Sequence, residues 1–291
     1  MGARRRKVPD LKDIRRRIGS VQKTQQITRA MRMVAGAKLR RAQDALAAAR
    51  PYADGMRSTL AGVARAQQDV EHPLLQPREP VRKVELILVT SERGLCGAFN
   101  SNVLKHAESV IAEREAAQIS ISTAGKKGLD YFKRRRENEL EANYPQEGWV
   151  VYGQAVEIAR RISERYATGE VDEAVLVYSE FASVMTQRPR DVRLLPFTPD
   201  AEEGEQALPY EIEPDPAKLL AVLVPKAVEV EVYRALLENQ AGEHAARMTA
   251  MESATRNTEE LIESLTLKFN RARQAAITKE LVEIVSGAEA L

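Results

Sequence analysis

A repeating pattern of apolar and small residues runs through the first part of the chain. Alternating steps of four and three lead from Ile14 to Val63, as in the heptads of a coiled coil. The positions of this seam are Ile14, Ile18, Val21, Gln25, Thr28, Arg32, Ala35, Leu39, Ala42, Leu46, Ala49, Ala53, Met56, Leu60 and Val63. The pattern predicts a long helix over Asp10–Val63, with a kink or short break at Pro51, because proline restricts the residue before it.

A second seam of the same kind lies in the last part of the chain. Its positions are Leu237, Ala241, His244, Met248, Met251, Thr255, Thr258, Ile262, Leu265, Phe269, Ala272 and Ala276. We expect one helix over Pro225–Gly287. A long apolar stripe needs a partner in water, so the two terminal helices are predicted to pair with each other as an antiparallel coiled coil.

Between these helices the pattern changes to short strands that alternate with short helices. The predicted strands are Lys83–Thr90, Gln118–Thr123, Trp149–Tyr152, Ala174–Tyr178 and, at an edge, Asp191–Pro196. The predicted helices are Asn100–Ala117 (capped by Asn100 or Ser101), Lys126–Arg136 and Ala155–Tyr166. Strands alternating with helices indicate a Rossmann-like, mainly parallel α/β domain inserted between the two terminal helices.

The predicted organisation therefore has three parts. Residues 1–70 form the N-terminal coiled-coil helix, residues 71–216 the α/β domain, and residues 217–291 the C-terminal coiled-coil helix. The end of the α/β domain, residues 198–216, is rich in proline and acidic residues, which is typical of a surface loop.

Charge is distributed unevenly although the formal net charge is only +2. Residues 1–50 contain 15 Lys and Arg against 3 Asp and Glu, whereas residues 197–217 contain seven acidic residues and no basic one. This asymmetry predicts partner surfaces of different charge. The seams also carry polar residues, Gln25, Thr28 and Arg32 in the first and Thr255 and Thr258 in the second. Either helix register or side-chain reach explains them, or this stretch contacts a third body or repacks during function.

No pattern in the sequence requires a catalytic, cofactor or metal site. Ser91–Asn102 follows a strand and precedes a helix, but it matches no phosphate-binding motif and is read as a tight turn. Cys96, the only cysteine, has no histidine nearby in the sequence and is read as a small buried thiol. The three histidines lack metal-ligand spacing.

Four blocks of sequence resemble the gamma-subunit family of F-type ATP synthases. They are IRRRIGSVQKTQQITRAMRMVAGAKLRRAQ at Ile14–Gln43, SERGLCGAFN at Ser91–Asn100, YEIEPDP at Tyr210–Pro216, and the closing helix from Glu243 to Leu291 with ARMTAMESAT and NRARQAAITKELVEIVSGAEAL. The blocks lie in order over the whole chain. The resemblance implies a non-catalytic central-stalk subunit that transmits torque between a membrane c ring and an alpha/beta hexamer, and so couples ion flow to ATP synthesis or hydrolysis.

The resemblance also implies partners and contact residues. The partners are three alpha and three beta subunits of the F1 part, the epsilon subunit and the c-subunit ring, with no nucleic acid and only peripheral attachment to the membrane. Contacts with the hexamer are expected at Met31, Arg247, Arg273, Gln274 and Thr278. Contacts with the c ring and epsilon are expected at Tyr210 and Glu213.

For a member of that family, the resemblance implies the cytoplasmic side of a bacterial plasma membrane, since the basic start of the chain has neither an apolar signal region nor a transit-peptide pattern. Two other functions stay open on the residues alone. A coiled-coil nucleic-acid binder could use the basic first helix, and a small α/β enzyme could carry helical arms. Purification distinguishes these three functions. A stalk subunit should co-purify with alpha and beta subunits, and a nucleic-acid binder should co-purify with DNA or RNA. An enzyme should show activity from residues 80–200 alone.

Overall fold

The structure of the chain, a computed structural model, describes residues 11–66, 72–114, 117–198 and 216–289. The chain divides into two compact units. The first unit combines Met1–Val34 with Met248–Leu291, and the second unit is Ala35–Arg247. No helix within the described residues is long and apolar enough to cross a membrane.

Two long helices, α1 at Leu11–Ala66 and α5 at Pro216–Glu289, contain 56 and 74 residues. Their presence confirms the prediction of long terminal helices. The predicted short break at Pro51 is wrong, because α1 continues through it, whereas the alternative of a kink there stays a prediction. Helix α5 begins at Pro216 and continues through Pro225. A proline inside a helix costs roughly 3 kcal/mol. Burial of Ala53 and Leu60 after Pro51, and of Val224 and Val228 around Pro225, offsets that cost.

The predicted seams are the inward-facing sides of both helices. Every seam position from Ile14 to Val63 and from Leu237 to Ala276 is buried or half-buried. In the first unit the two helices run antiparallel. Thr28 meets Thr255 and Arg32 meets Glu252, while Ile14, nearer the start of α1, shares a cavity with Leu265 and Ala272.

The second unit contains a five-stranded sheet. Its strands are β1 at Lys83–Val89, β2 at Gln118–Ala124, β3 at Leu140–Tyr144, β4 at Glu173–Phe181 and β5 at Gln187–Leu195. Their order across the sheet is β3-β2-β1-β4-β5, and all neighbours are parallel except β4 and β5, which are antiparallel. The mainly parallel α/β prediction is therefore confirmed, with β5 at an edge.

Short helices complete the second unit on both faces of the sheet. They are α2 at Phe99–Ala112, α3 at Lys126–Phe132 and α4 at Tyr152–Thr168, with one 3-10 turn at Glu137–Glu139. One face of the sheet packs on α4, α5 and the end of α1, around Ile87, Leu176 and Tyr178. The other face packs on α2 and on Phe132 of α3.

Two helices of this unit are shorter than predicted, since α2 ends at Ala112 and not Ala117, and α3 ends at Phe132 and not Arg136. The kind of element or its cap differs from the sequence prediction at three further places. Trp149–Tyr152 is not a strand, because Val151 is extended but Tyr152 already begins α4. The edge strand β3 was missed, since only Tyr144 in it is buried. Neither Asn100 nor Ser101 caps α2. The residue at the cap is Ala98, without a side-chain hydrogen bond, since the Asn100 side chain is bonded elsewhere.

Candidate partner interface

The turn that follows β1 lies where a fold of this kind commonly binds a ligand. The chain passes from β1 to β2 and β3 on one side and then returns to β4 on the other side of β1. The crevice at the carboxyl ends of the strands at such a switch point is the usual ligand site of open α/β sheets. The residues at this edge are therefore the first to test for chemistry.

Hydrogen bonds within the turn hold it closed. The Oδ1 of Asn100 accepts from the Ser91 backbone N–H at 3.1 Å and from the Ser91 hydroxyl at 3.0 Å, and its Nδ2 donates to the Cys96 sulfur at 3.2 Å. Leu95 and Gly97 have positive φ angles of 64° and 58°, which close the turn just before α2. Burial raises the pKa of the Cys96 thiol, so the thiolate is disfavoured.

Helix α5 crosses this same edge and covers the turn. The Asn239 Nδ2 donates to the Thr90 carbonyl oxygen at 3.4 Å. At Gly242 an added Cβ would lie 3.0 Å from the Phe99 ring, so a larger residue would require that ring to shift by a few tenths of an ångström. The chain's own helix thus packs where a ligand would lie in other proteins of this fold.

Arg247 fastens α5 to the turn. Its Nη2 donates to the Arg93 and Gly94 carbonyl oxygens, each at 3.2 Å, and pairs with the Glu243 carboxylate at 2.6 Å. The side chain of Arg247 is only 13% exposed. The sequence resemblance assigns Arg247 to a partner contact; in this structure its guanidinium is engaged within the second unit, and the partner contact stays a prediction.

A polar cavity of about 630 Å³ lies beside these contacts, with Lys38, Lys126 and His244 in its lining. Burial, followed by the charges of Arg247 and Lys38, lowers the pKa of His244 to about 4. A neutral imidazole with that pKa is a weak base at neutral pH. The Oδ1 of Asn239 in the same lining is buried without a hydrogen-bond partner.

Metal binding has no support in the described ranges, 11–66, 72–114, 117–198 and 216–289. Within them no group of three or more His, Cys, Asp or Glu side chains is placed to hold an ion.

The other predicted contact residues lie in the first unit or outside the described residues. Met31 is half-buried, whereas Arg273, Gln274 and Thr278 are exposed on α5. The Thr278 hydroxyl donates to the Gln274 carbonyl oxygen at 3.0 Å, so these two residues are neighbours. Tyr210 and Glu213 lie outside the described residues.

Polar side chains meet inside the first unit. The hydroxyls of Thr28 and Thr255 are 2.9 Å apart, and both are buried. The Arg32 guanidinium lies 3.9 Å from the Glu252 carboxylate. Two of the polar seam positions identified from the sequence therefore face each other across the helix pair.

Exposed apolar residues in the first unit were missed by the sequence reasoning. The most exposed are Ile27, Met33, Val34, Leu267, Ile277, Leu281, Val282, Ile284 and Val285. They could have been found as apolar residues that lie off the seams in predicted helices. Exposed apolar residues that form a contiguous patch are typical of a protein that binds partners.

A family model described as ATP synthase matches residues 10–291 of the chain. Three gamma chains of ATP synthase are similar over nearly the full length. That of Desulforamulus reducens is 51% identical, with 96% of this chain and 98% of the relative covered. Those of Pelotomaculum thermopropionicum and Chlorobaculum tepidum are each 49% identical, with 98% of this chain covered and 100% and 99% of the relatives.

Two solved structures share the fold. A chain of the Euglena gracilis mitochondrial ATP synthase in rotational state 3 has a TM-score of 0.68 at 21% identity, with 96% of this chain and 94% of that chain covered. A chain from the central stalk and c ring of the Tetrahymena thermophila mitochondrial ATP synthase has a TM-score of 0.61 at 24% identity, with 78% and 99% covered. From the match over residues 10–291 and the near-50% identity to its relatives, we conclude that the chain belongs to the family of ATP synthase gamma chains.

Proposed function

We propose that this chain is the central-stalk rotor subunit of an ATP synthase. It transmits torque between a membrane c ring and an alpha/beta hexamer, and thereby couples ion flow to ATP synthesis or hydrolysis. The observation that supports this most is the pair of helices of 56 and 74 residues whose seams are buried along most of their length. A part that carries load needs long continuous elements more than it needs a ligand pocket.

A non-catalytic role fits the carboxyl edge of the sheet. In that place α5, through Asn239, Gly242 and Arg247, covers part of the edge where an enzyme of this fold binds its substrate. Differences in the contacts that a shaft makes in each orientation can bias its neighbours between states without chemistry of its own.

The proposed contacts with the hexamer are Met31, Arg247, Arg273, Gln274 and Thr278. The exposure of Arg273 and Gln274 leaves their donors free to meet a partner. The proposed contacts with the c ring and epsilon subunit are Tyr210 and Glu213. Three alpha and three beta subunits, epsilon and the c ring are the proposed partners, at the cytoplasmic face of a bacterial plasma membrane.

Assembly tests this proposal directly. Tagged chain expressed with alpha, beta and epsilon subunits should be purified in one complex that hydrolyses ATP, and omission of the chain should abolish the complex. A folded chain that assembles with none of them, or that is recovered with nucleic acid instead, would contradict the proposal.

Coupling is tested by Met31→Lys. The substitution places a long cation at the proposed contact with a beta subunit, where a new ion pair can form. ATP hydrolysis should continue while the protons pumped per ATP fall. Met185→Lys, at a residue that is 78% exposed in the β4–β5 hairpin, is the matched control. An equal number of protons pumped per ATP in the two variants would show that Met31 is not part of the contact.

A further inference from the structure

A basic cavity of about 510 Å³ lies at the edge of the sheet in the second unit. Its lining includes the arginines Arg57 of α1, Arg190 and Arg193 of β5, and Arg234 of α5, and Glu231 is the only acidic one among the described residues that line it. We name these four arginines and their cavity the arginine pocket. Three separate elements bring the guanidinium groups to one place, so the cluster is a feature of the fold and not of a single charged stretch.

Carboxylates balance only two of the four arginines among the described residues. Arg190 pairs with Glu180 at 3.0 Å, and Arg234 pairs with Glu231 at 2.8 Å. Arg193 donates to the neutral Thr198 hydroxyl at 3.0 Å. No carboxylate in the part of the chain that the structure describes lies within ion-pair distance of Arg57 or Arg193.

Arg234 already has acidic partners. It pairs with Glu231 at 2.8 Å and lies 3.7 Å from the Glu238 carboxylate. The charge left to attract an anion is therefore that of Arg57 and Arg193, which have no acidic partner among the described residues.

We propose that the arginine pocket binds a small polyanion of the phosphate class. Arginine presents a planar fork of donors that matches phosphate oxygens, and such charge-assisted bonds are stronger than neutral ones. The volume lies within the range of small-molecule sites, roughly 300–1,000 Å³, and exceeds the need of a pyrophosphate. The proposal does not depend on the rotor function, since it rests on the second unit alone.

The test is a titration of the full-length chain with inorganic pyrophosphate by isothermal calorimetry at low salt. The natural chain should bind one pyrophosphate, and added salt should weaken the binding. Arg57→Ala combined with Arg193→Ala should raise the dissociation constant by about tenfold or more, because each change removes a charge-assisted bond. Arg57→Lys with Arg193→Lys keeps the charge but not the planar fork of donors. Its dissociation constant should lie between those of the natural chain and the double alanine variant.

A matched control removes the same charge elsewhere. Arg134 and Arg160 are exposed and lie outside the pocket, so Arg134→Ala with Arg160→Ala should leave the dissociation constant within about twofold of the natural value. An equal loss in both double variants would mean diffuse attraction to a basic surface and would overturn the proposal. Unchanged circular dichroism melting curves establish that each variant is folded.

Further ligands identify the source of the phosphate. Orthophosphate, ADP and ATP are titrated in turn. Arginine-dependent binding of orthophosphate and pyrophosphate alone indicates free phosphates, and equal or tighter binding of ADP or ATP indicates a nucleotide; either outcome supports the site. No binding of any phosphate, or tighter binding of citrate than of pyrophosphate, would overturn it.

Discussion

The two units of the chain bury their residues in different ways. The second unit surrounds its sheet with fully buried apolar side chains such as Leu176, Tyr178 and Ile158. In the first unit the buried residues form a single narrow stripe that includes the threonines Thr28 and Thr255, and large apolar residues such as Leu267 and Val282 are left exposed. The second unit is therefore stabilised by its own packing, whereas the first unit has exposed apolar residues that other chains can contact.

This contrast corresponds to two tasks. In the second unit, hydrogen bonds from the side chains of Asn239 and Arg247 to backbone carbonyl oxygens fix this part of α5. The helix pair of the first unit keeps its outward donors, such as Arg273, at the surface. Under the proposed function, the second unit fixes its part of α5, and the helix pair of the first unit contacts the surrounding subunits.

Truncation of a buried leucine should give the largest difference between the units. Leu176→Ala, at a side chain with 0% exposure in β4, should lower the free energy of unfolding by about 3–5 kcal/mol. Leu265→Ala, at 6% exposure in the helix pair, should cost about 1–3 kcal/mol, because water reaches a narrow seam more easily. Urea unfolding measures both. Leu267→Ala, at a residue 60% exposed, is the control and should change the value by less than about 0.5 kcal/mol. An equal loss of unfolding free energy at Leu176 and Leu265 would show that the two units do not differ in how tightly they are packed.

The exposed donors of the first unit should matter only in the assembled complex. Arg273→Ala with Gln274→Ala should leave folding unchanged, because neither is a seam position. Loss of one partner from a desolvated charged contact costs on the order of 2–5 kcal/mol, so ATP turnover of the complex should fall. Turnover per assembled complex is the measurement, with Arg160→Ala in α4 as the control. Full assembly together with full turnover would show that Arg273 and Gln274 are ordinary surface residues.

Acid should affect the second unit through His244. Its pKa falls from 6.5 to about 4 on folding, so the unfolded chain binds the proton more readily. The stability that His244 contributes is therefore complete above pH 6.5 and is lost as the pH falls through about 4. At 1.36 kcal/mol per pH unit this amounts to about 3 kcal/mol at most. His244→Gln should flatten the curve of unfolding free energy against pH in that window.

The control for the acid prediction is His106→Gln. His106 forms a partly exposed pair with Asp191 and does not line the cavity beside α5. The acid dependence that comes from His244 should persist in this variant. An unaltered pH curve in His244→Gln would show that another group causes the dependence.

The smallest effect is expected at the threonine pair of the seam. Thr255→Val alone removes the hydroxyl that faces Thr28 and should cost about 1 kcal/mol. Thr28→Val with Thr255→Val removes both polar groups, and the unfolding free energy should return to within about 0.5 kcal/mol of the natural chain or exceed it. A double-mutant cycle in urea measures the coupling. Strictly additive costs would mean that the 2.9 Å contact contributes nothing specific.

The elements that could be predicted are those whose signal is local and repeated. Each heptad of the seam from Ile14 to Val63 repeats the same information, so α1 was predicted within three residues at its end. Strand β3 has too little burial to leave an apolar pattern. The same local reasoning failed at Pro51, because the burial that offsets a proline is a property of the packed structure.

The candidate site depends on contacts that are distant in sequence. Asn100 appeared to be a helix cap by its type, but its side chain bonds to Ser91, nine residues earlier. The bonds from Arg247 to Arg93 and Gly94 join residues 154 and 153 positions apart. No periodicity can reveal such pairs. The resemblance to a family could name Arg247 as important, but it could not supply the carbonyl oxygens that Arg247 binds.

The prolines inside α1 and α5 have a consequence for elasticity. Pro51 and Pro225 donate no amide hydrogen, so each helix lacks one backbone bond at that turn. A helix bends most easily where a bond of its ladder is missing. Under a twisting or bending load, α1 and α5 should therefore yield first at these two turns, both in the second unit. The prolines would make each helix a rod with one compliant joint, able to store work as strain and return it.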